Sequence, residues 1–340
     1  MNDLKTVFIE ITNFCSKNCK HCFNSSFMKN PRYLSTNDLI YILKAIKKKN
    51  VKQIKIVGGE PLLHPEFTTV LEIMEEAKIP YIIVTDSEKV VNYLDEFRRS
   101  AWLKQIRISL DGIEKTHDFI RELGDFQKVI ENVTSLKNNG IHVALNFTIN
   151  KLNYLEIEEI WDLSRELGVD LLYGVVKHCD NKINEELLTF NTSEEVEKLL
   201  ETINGFRSKN RSLYRHIWNN INDDDDFIIS QKSNKSHDYI GCPAGQVSCV
   251  IDVSGDVWPC VLMKSENKYG NIFLEDFNLI WEKMNIIMTN LKRNFNECAN
   301  CQYSERCTGG CRGNAFYFGD IQGKDPNCFI YNNYENHEEE

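Results

Sequence analysis

The sequence lacks three features that would place the chain in a common class. It has no apolar run close to the roughly 20 residues that a membrane-spanning helix needs, so we expect no membrane partner. Its first segment lacks the basic start, apolar stretch and small-residue cleavage site of a signal peptide, which favours a cytoplasmic location. It also lacks a basic excess, with 40 Lys and Arg against 50 Asp and Glu. The formal net charge of −10 argues against a general nucleic-acid binder.

Cysteine, in contrast, is abundant and unevenly placed. Of 12 cysteines, three lie within Cys15–Cys22, eight lie within Cys242–Cys328, and only Cys179 stands alone. In a reducing compartment these cysteines are not expected to form structural disulfides. Clustered cysteines in a cytosolic protein indicate metal ligands or catalytic thiols.

The first half of the chain alternates strand-like and helix-like patterns. Apolar runs predict strands at 7–11, 53–57, 81–84, 106–110, 142–149 and 171–176. Amphipathic patterns between them predict helices at 36–48, 66–77, 88–97, 126–137 and 155–167. This alternation predicts an α/β fold with a parallel sheet. Six such units indicate a partial (β/α)6 barrel at residues 1–177 rather than a closed eight-fold barrel.

The pattern changes after this barrel. Residues 178–240 are polar, with a helical stretch at 193–204 and an acidic run, Asp223–Asp226, that we interpret as a solvated loop. We predict a linker or bridging region here. Residues 241–330 are rich in Cys and Gly and short on periodic helix, which predicts a small domain organised by metal. Residues 331–340 are predicted to be a tail.

The first cysteine group reads Cys15-Ser-Lys-Asn-Cys19-Lys-His-Cys22 and follows the first predicted strand. Three thiolates on such a loop can hold a 4Fe–4S cluster and leave one iron open for another ligand. The alternative is a zinc knuckle whose fourth ligand is missing or is supplied by His21. The spacing alone leaves both interpretations open.

This CxxxCxxC motif resembles the cluster motif of the radical S-adenosylmethionine (SAM) superfamily. The resemblance implies that Cys15, Cys19 and Cys22 hold a 4Fe–4S cluster whose open iron chelates the amino and carboxylate groups of SAM. It also implies that His21 packs on the adenine.

Two further segments resemble this family. Gly58-Gly59-Glu60 follows the second strand, where glycine permits close backbone approach and a carboxylate can accept hydrogen bonds from an ammonium group. It resembles the family's GGEP motif, which implies contacts to the SAM amino group. The fourth strand ends in Ser109-Leu110-Asp111-Gly112, and Arg121 follows it. The resemblance implies that Ser109 and Arg121 hold the SAM carboxylate, which a guanidinium suits.

The second cysteine group has its own spacing: Cys242-x12-Gly255-x4-Cys260 and Cys298-x2-Cys301-x5-Cys307-x3-Cys311-x16-Cys328. A structural zinc tetrathiolate is one interpretation. The whole array resembles the SPASM pattern of auxiliary-cluster domains. The resemblance implies two auxiliary clusters, an outer one on Cys298, Cys301, Cys307 and Cys328 and an inner one on Cys242, Cys260 and Cys311. Because these ligands interleave in sequence, metal loss should unfold the domain.

The roles of two cysteines remain undecided. Cys249 either completes the inner cluster or is an ordinary buried cysteine that alternates with Val247 and Ile251 on a strand-like stretch. Cys179 follows the sixth strand, at the end where parallel α/β folds place their chemistry. It is either an inert thiol or a hydrogen-atom donor to a substrate radical, which would make the enzyme an epimerase.

The resemblance also implies a reaction. A reduced cluster would cleave SAM to methionine and a 5′-deoxyadenosyl radical, which abstracts hydrogen from the substrate. SPASM-type relatives act mostly on peptides and proteins. Our first hypothesis is modification of a ribosomally synthesised peptide by a thioether or carbon–carbon crosslink or by epimerisation. The second is formylglycine formation of the sulfatase-maturase type, or biosynthesis of a peptide-derived redox cofactor. A third, from another class, is a zinc-stabilised binding protein.

Expected partners follow from the first hypothesis. They are a peptide or protein substrate, an electron donor such as flavodoxin or ferredoxin, and a separate peptide-recognition protein. The last is expected because the first strand starts at about residue 6, which leaves no room ahead of it for a recognition domain. The barrel mouth and residues 178–240 are the other candidates for recognition.

Overall fold

The structure is a computed structural model that describes residues 3–24, 30–178, 186–209, 242–264, 268–291, 309–323 and 325. Its strands are β1 (Thr6–Thr12), β2 (Gln53–Gly58), β3 (Tyr81–Thr85), β4 (Leu103–Ser109), β5 (Val143–Ile149), β6 (Asp170–Val175), β7 (Ser248–Ile251), β8 (Asp256–Trp258) and β9 (Gly270–Asn271). Its helices are α1 (Thr36–Lys47), α2 (Phe67–Ala77), α3 (Leu94–Arg99), α4 (Glu114–Ile120), α5 (Asp125–Asn138), α6 (Ile157–Leu167), α7 (Ser193–Lys209), α8 (Phe277–Asn290) and α9 (Arg312–Tyr317).

The first six strands form the predicted parallel sheet. The strand order is β6-β5-β4-β3-β2-β1-β7-β8-β9, and every neighbouring pair from β1 to β6 is parallel. Side chains from all six of these strands line a single cavity, so the sheet curves around it as a partial barrel. The α/β prediction and the six strands are confirmed.

Local sequence explains where the helices begin and end. The Ser35 side chain accepts a hydrogen bond from the Asp38 amide and caps α1. Gly168 ends α6 with φ +63°, a conformation that favours glycine. Ile157, Ile160 and Ser164 of α6 are buried at helical spacing, so one face of α6 packs on the sheet.

The Cys-rich region continues the barrel's own sheet. Strand β7 pairs in parallel with β1, from Thr6 opposite Ser248 to Ile9 opposite Ile251. Strands β8 and β9 then extend the sheet in antiparallel fashion. The predicted boundary near residue 240 therefore precedes a strand that joins the barrel, and that boundary remains a prediction.

Helix α8 differs from the expectation of little helix after residue 241. Its apolar side chains lie on more than one face, since Trp281 and Met284 are buried while Leu279, Ile286 and Ile287 are exposed. This spread obscures the 3.6-residue period that identifies an amphipathic helix in a sequence. Within the ranges given above, no helix is long and apolar enough to cross a membrane.

Candidate active site

The three N-terminal cysteines lie on the loop that follows β1, at the carboxyl end of the sheet. Cys19 is buried, and Cys15 and Cys22 are half-buried. Each lines a cavity of about 410 Å³ inside the barrel. Burial raises the pKa of Cys15 to about 12 and also raises the pKa of Cys19. These thiols are therefore protonated until a metal displaces the proton.

Gly58 and Gly59 hold this loop against the end of β2. A Cβ on Gly58 would stand 2.3 Å from the Thr12 carbonyl oxygen, and one on Gly59 would stand 2.1 Å from that of Phe14. The Gly59 amide donates to Thr12 O at 2.8 Å, and the Glu60 amide donates to Phe14 O at 2.7 Å. Both glycines are thus required by close contact with the cysteine loop, and both also line the cavity.

The Glu60 carboxylate ties the end of β2 to the end of β3. Its Oε1 accepts hydrogen bonds from Thr85 Oγ1 at 2.7 Å and from the Leu62 amide at 3.0 Å, and its Oε2 accepts one from the Asp86 amide at 2.7 Å. Burial, and then the nearby Asp86 carboxylate, raise the pKa of Glu60 well above its ordinary value. Glu60 lines the cavity, and its contact with a SAM amino group remains a prediction.

A buried ion pair lies beside the loop. Asp111 is fully buried, with its Oδ2 at 2.5 Å from Arg121 Nε and 2.8 Å from His21 Nε2. Burial alone would raise the pKa of Asp111, but Arg121 and His21 hold it well below its ordinary value. Arg121 also donates from Nη1 to Cys19 Sγ at 3.7 Å. The pair therefore orients Arg121 and His21 at the cavity wall, which Ser109 also lines.

Lys17 is a site residue that the sequence analysis missed. Its side chain is buried, and its Nζ lies 2.5 Å from Asp125 Oδ1 and 3.6 Å from Asp86 Oδ2. His117 Nε2 lies 3.1 Å from the other oxygen of Asp125. This network fastens the middle of the cysteine loop to α5. A lysine between two cysteines gives no signal of burial in the sequence, because its Asp125 partner comes 108 residues later.

Cys242, Cys260 and Cys311 line the same cavity from the side of the Cys-rich region. Burial, followed by the neighbouring Cys242 and Cys311 thiols, raises the pKa of Cys260, so the three lie close together. Burial raises the pKa of Cys311 to about 11, although Lys177 opposes this shift. The Cys311 amide donates to Oδ2 of the fully buried Asp325 at 2.7 Å.

Cys249 lies elsewhere. It is fully buried on β7 opposite Val7, belongs to the main hydrophobic core, and does not line the cavity. Burial is the only cause that raises the pKa of Cys249. This position favours the core interpretation that the sequence left open. The remaining predicted cysteines lie outside the described residues, and their roles stay predictions: Cys179, Cys298, Cys301, Cys307 and Cys328.

The donor set fits iron–sulfur clusters better than a single ion. Three thiols of one loop and three from the Cys-rich region border one cavity. His21, the proposed fourth zinc ligand, lies against Asp111 instead. Three thiols and an adjacent cavity match a cluster with one open iron.

Comparison with known proteins agrees with this assignment. The Radical SAM superfamily model matches residues 9–167, and the SPASM iron–sulfur cluster-binding domain model matches residues 242–307. Mycofactocin maturase MftC of Mycolicibacterium smegmatis is 23% identical over 331 residues, which cover 94% of this chain and 81% of that protein. The AdoMet-dependent heme synthase of Methanosarcina barkeri is 24% identical over 339 residues, covering 94% of each.

Among solved structures, Streptococcus suis SuiB bound to S-adenosylmethionine superposes with a TM-score of 0.73 at 19% identity. The match covers 95% of this chain and 76% of SuiB, and it shows a shared fold. SuiB has also been solved bound to its precursor peptide SuiA.

The chain is therefore an enzyme of the radical SAM superfamily with a C-terminal SPASM domain. Its cofactors are 4Fe–4S clusters and SAM, as the resemblance to this family implied.

Proposed function

We propose that this enzyme modifies a ribosomally synthesised peptide, by forming a thioether or carbon–carbon crosslink or by epimerising a residue. The observation that carries the proposal is the single cavity of about 410 Å³ that borders both cysteine groups. A peptide side chain in this cavity lies between the SAM site and the auxiliary site. Sequence similarity to a mycofactocin maturase supports a peptide substrate. The fold that this chain shares with a protein solved with its precursor peptide supports it as well.

We assign the following roles to the chain's own residues. Cys15, Cys19 and Cys22 hold the SAM-chelating cluster, and Cys242, Cys260 and Cys311 hold the inner auxiliary one. Gly58, Gly59 and Glu60 approach the SAM amino group, Ser109 and Arg121 its carboxylate, and His21 its adenine.

When both are bound to the protein, the reduced cluster and SAM together supply a 5′-deoxyadenosyl radical. The protein positions the reacting C–H bond against this radical and excludes water and stray hydrogen donors. Apolar residues that line the cavity, such as Val57, Val84 and Phe147, help to exclude water. We infer a cytoplasmic location and a flavodoxin- or ferredoxin-type electron donor, because such clusters need reduced thiols and a low-potential electron.

The test starts from genes that encode short peptides beside this one. The reconstituted enzyme is incubated anaerobically with SAM, a reductant and the candidate precursor peptide. We expect 5′-deoxyadenosine together with a peptide that has lost two hydrogen atoms, or that gains deuterium from D2O on epimerisation. An aldehyde-bearing product would point to formylglycine formation instead. A colourless sample that holds zinc and forms no 5′-deoxyadenosine would contradict the enzyme assignment.

A second candidate is a reaction on a heme precursor. The observation that favours it is the AdoMet-dependent heme synthase, which matches this chain over 94% of both lengths. Iron coproporphyrin offered in place of the peptide separates the two candidates. Its conversion without any peptide product would replace the peptide proposal.

A further inference from the structure

Arg121 makes two contacts that connect the buried ion pair to the cysteine loop. Its Nε lies 2.5 Å from Asp111 Oδ2, and its Nη1 donates to Cys19 Sγ at 3.7 Å. The side chain is only 9% exposed, so water screens both contacts weakly. The two contacts use two of the five N–H donors of the guanidinium, and the contact assigned to the SAM carboxylate is compatible with both. A largely buried cation therefore lies against a sulfur that we assign to the SAM-chelating cluster.

Backbone hydrogen bonds hold this arrangement in place. The Lys20 amide donates to the Ile120 carbonyl oxygen at 2.9 Å, which fastens the cysteine loop to the end of α4 immediately before Arg121. Asp111 is fixed by the Thr148 amide, which donates to Asp111 Oδ1 at 3.2 Å. The loop and the carboxylate are thus both anchored, and the guanidinium lies between them.

A cation at a ligand sulfur affects the electron that the cluster must accept. Reduction adds one negative charge, and the reduction potential depends on net charge, on burial and on hydrogen bonds to the sulfurs. A charged donor at a sulfur stabilises the reduced cluster more than the oxidised one, so it raises the potential. A carboxylate behind that donor has the opposite effect and offsets part of the rise.

Lys17 is the other buried cation of this loop, and its charge is more fully offset. Its Nζ lies 2.5 Å from Asp125 Oδ1 and 3.6 Å from Asp86 Oδ2, so two carboxylates share one ammonium. Arg121, in contrast, reaches the Cys19 sulfur directly through Nη1 while Nε holds its carboxylate. Arg121 is therefore the stronger candidate for an effect on the cluster.

We infer that Arg121 and Asp111 together set the reduction potential of the SAM-chelating cluster: Arg121 raises it through its hydrogen bond to Cys19, and Asp111 limits the rise. Asp111 is a positioning residue, since it holds the guanidinium and offsets its charge. The inference rests on the proposed assignment of Cys19 as a cluster ligand and is independent of the peptide substrate. The guanidinium assigned to SAM then also determines how readily the cluster accepts its electron.

The experiment is an anaerobic redox titration of the reconstituted full-length enzyme, without SAM or peptide, followed by electron paramagnetic resonance. The signal of the N-terminal cluster is the one that Cys22→Ala lacks. At the wild-type midpoint potential, we expect Arg121→Met to lower the ratio of reduced to oxidised cluster about 10-fold, a midpoint shift of about 59 mV for one electron. Asp111→Asn should shift the midpoint in the opposite direction. Arg121→Lys keeps the charge and should recover part of the loss.

Arg98→Met is the matched control. It removes the same charge from α3, where the Arg98 side chain is 57% exposed and dissolved salt screens it. Its midpoint should equal that of the wild type. A shift as large as that of Arg121→Met would show that overall charge, rather than the contact with Cys19, sets the potential.

Each other outcome has a distinct meaning. Unchanged midpoints in Arg121→Met and Asp111→Asn overturn the inference, and so do shifts of the same sign, which indicate a general distortion of the site. If iron and sulfide analysis shows that Arg121→Met assembles no cluster, the double variant Arg121→Met/Asp111→Asn decides, because it leaves no lone buried charge. Its midpoint should lie below that of the wild type, and a midpoint at or above the wild-type value overturns the inference.

The same titration separates this inference from the assignments beneath it. If Cys22→Ala retains every signal of the wild type, the assignment of the cysteine loop to a cluster fails, and the inference fails with it. A missing peptide product leaves the midpoints unaffected, since no peptide enters the titration, and contradicts the peptide function alone.

Discussion

The two cysteine regions bring their thiols to one cavity in different ways. Cys15, Cys19 and Cys22 come from a single short loop that buried charges fasten, through Lys17 to Asp125 and through Asp111 to Arg121 beside Cys19. Cys242, Cys260 and Cys311 come from segments far apart in sequence. The first region is organised by the protein, and we expect the second to depend more on metal.

The largest effect is expected when one cysteine of each region is replaced by alanine. Loss from the first region should abolish catalysis, and loss from the second should lower stability. Cys22→Ala is expected to reduce 5′-deoxyadenosine formation to background and to leave the melting temperature nearly unchanged. Cys260→Ala is expected to retain SAM cleavage but to lose auxiliary iron and lower the melting temperature by about 1–3 °C, the shift that about 1–2 kcal/mol gives in a chain of this size. Product assays, iron analysis and thermal melts test both variants. Equal loss of stability in the two would remove the distinction between the regions.

The next largest effect is expected when the contact between Gly58–Gly59 and the cysteine loop is disrupted. Gly59→Ala places a methyl group where the Phe14 carbonyl oxygen would be 2.1 Å away, so the loop must move. A misplacement of about 1 Å can lower a rate about 100-fold, and we expect a loss of that order in 5′-deoxyadenosine formation. Gly205→Ala is the control, since nothing lies within 4 Å of its Cβ position in α7. An active Gly59→Ala would show that the loop is less fixed than its contacts imply.

The third prediction tests the buried charges of the first region. Asp111→Asn leaves Arg121 without its charged partner, and breaking a buried pair costs about 3–5 kcal/mol. Because the pKa of Asp111 is held below its ordinary value of 3.8, the stabilisation is present above that pH. It is lost as the pH falls below 3.8. Urea unfolding of the metal-free protein between pH 3 and 6 should show this acid loss in the wild type and less of it in Asp111→Asn.

The control for that measurement is Asp170→Asn, which removes the half-exposed partner of His142. Exposed pairs contribute about 0–1 kcal/mol, so a change as large as that of Asp111→Asn would contradict the special role of the buried pair.

The smallest effect is expected at Cys249. Cys249→Ala deletes a buried group in the core, which should lower the free energy of unfolding by about 1 kcal/mol. Iron content should stay at the wild-type value, in contrast to Cys260→Ala. Loss of iron from Cys249→Ala would make it a ligand and correct the core interpretation.

The sequence pattern predicted the features that depend on residues close together in the chain. The six parallel strands follow from apolar runs between amphipathic stretches, and the positions of Cys15, Cys19 and Cys22 follow from their spacing after β1. The role of Lys17 was not predictable in this way, since its burial depends on carboxylates that only the fold brings near. The same holds for Asp111, because only the fold brings Arg121 and His21 to its carboxylate. Pairing of β7 with β1 is likewise a long-range event that no local pattern encodes.

The pairing of β7 with β1 has a consequence for synthesis of the chain on the ribosome. Strand β1 is made about 240 residues before Ser248–Ile251, the partner for one of its edges. At 5–20 residues per second, that edge waits roughly 10–50 s for its neighbour. An exposed strand edge of this kind invites pairing with other chains. Expression at low temperature with chaperones, and cluster assembly as early as possible, should therefore decide how much of the enzyme is recovered in native form.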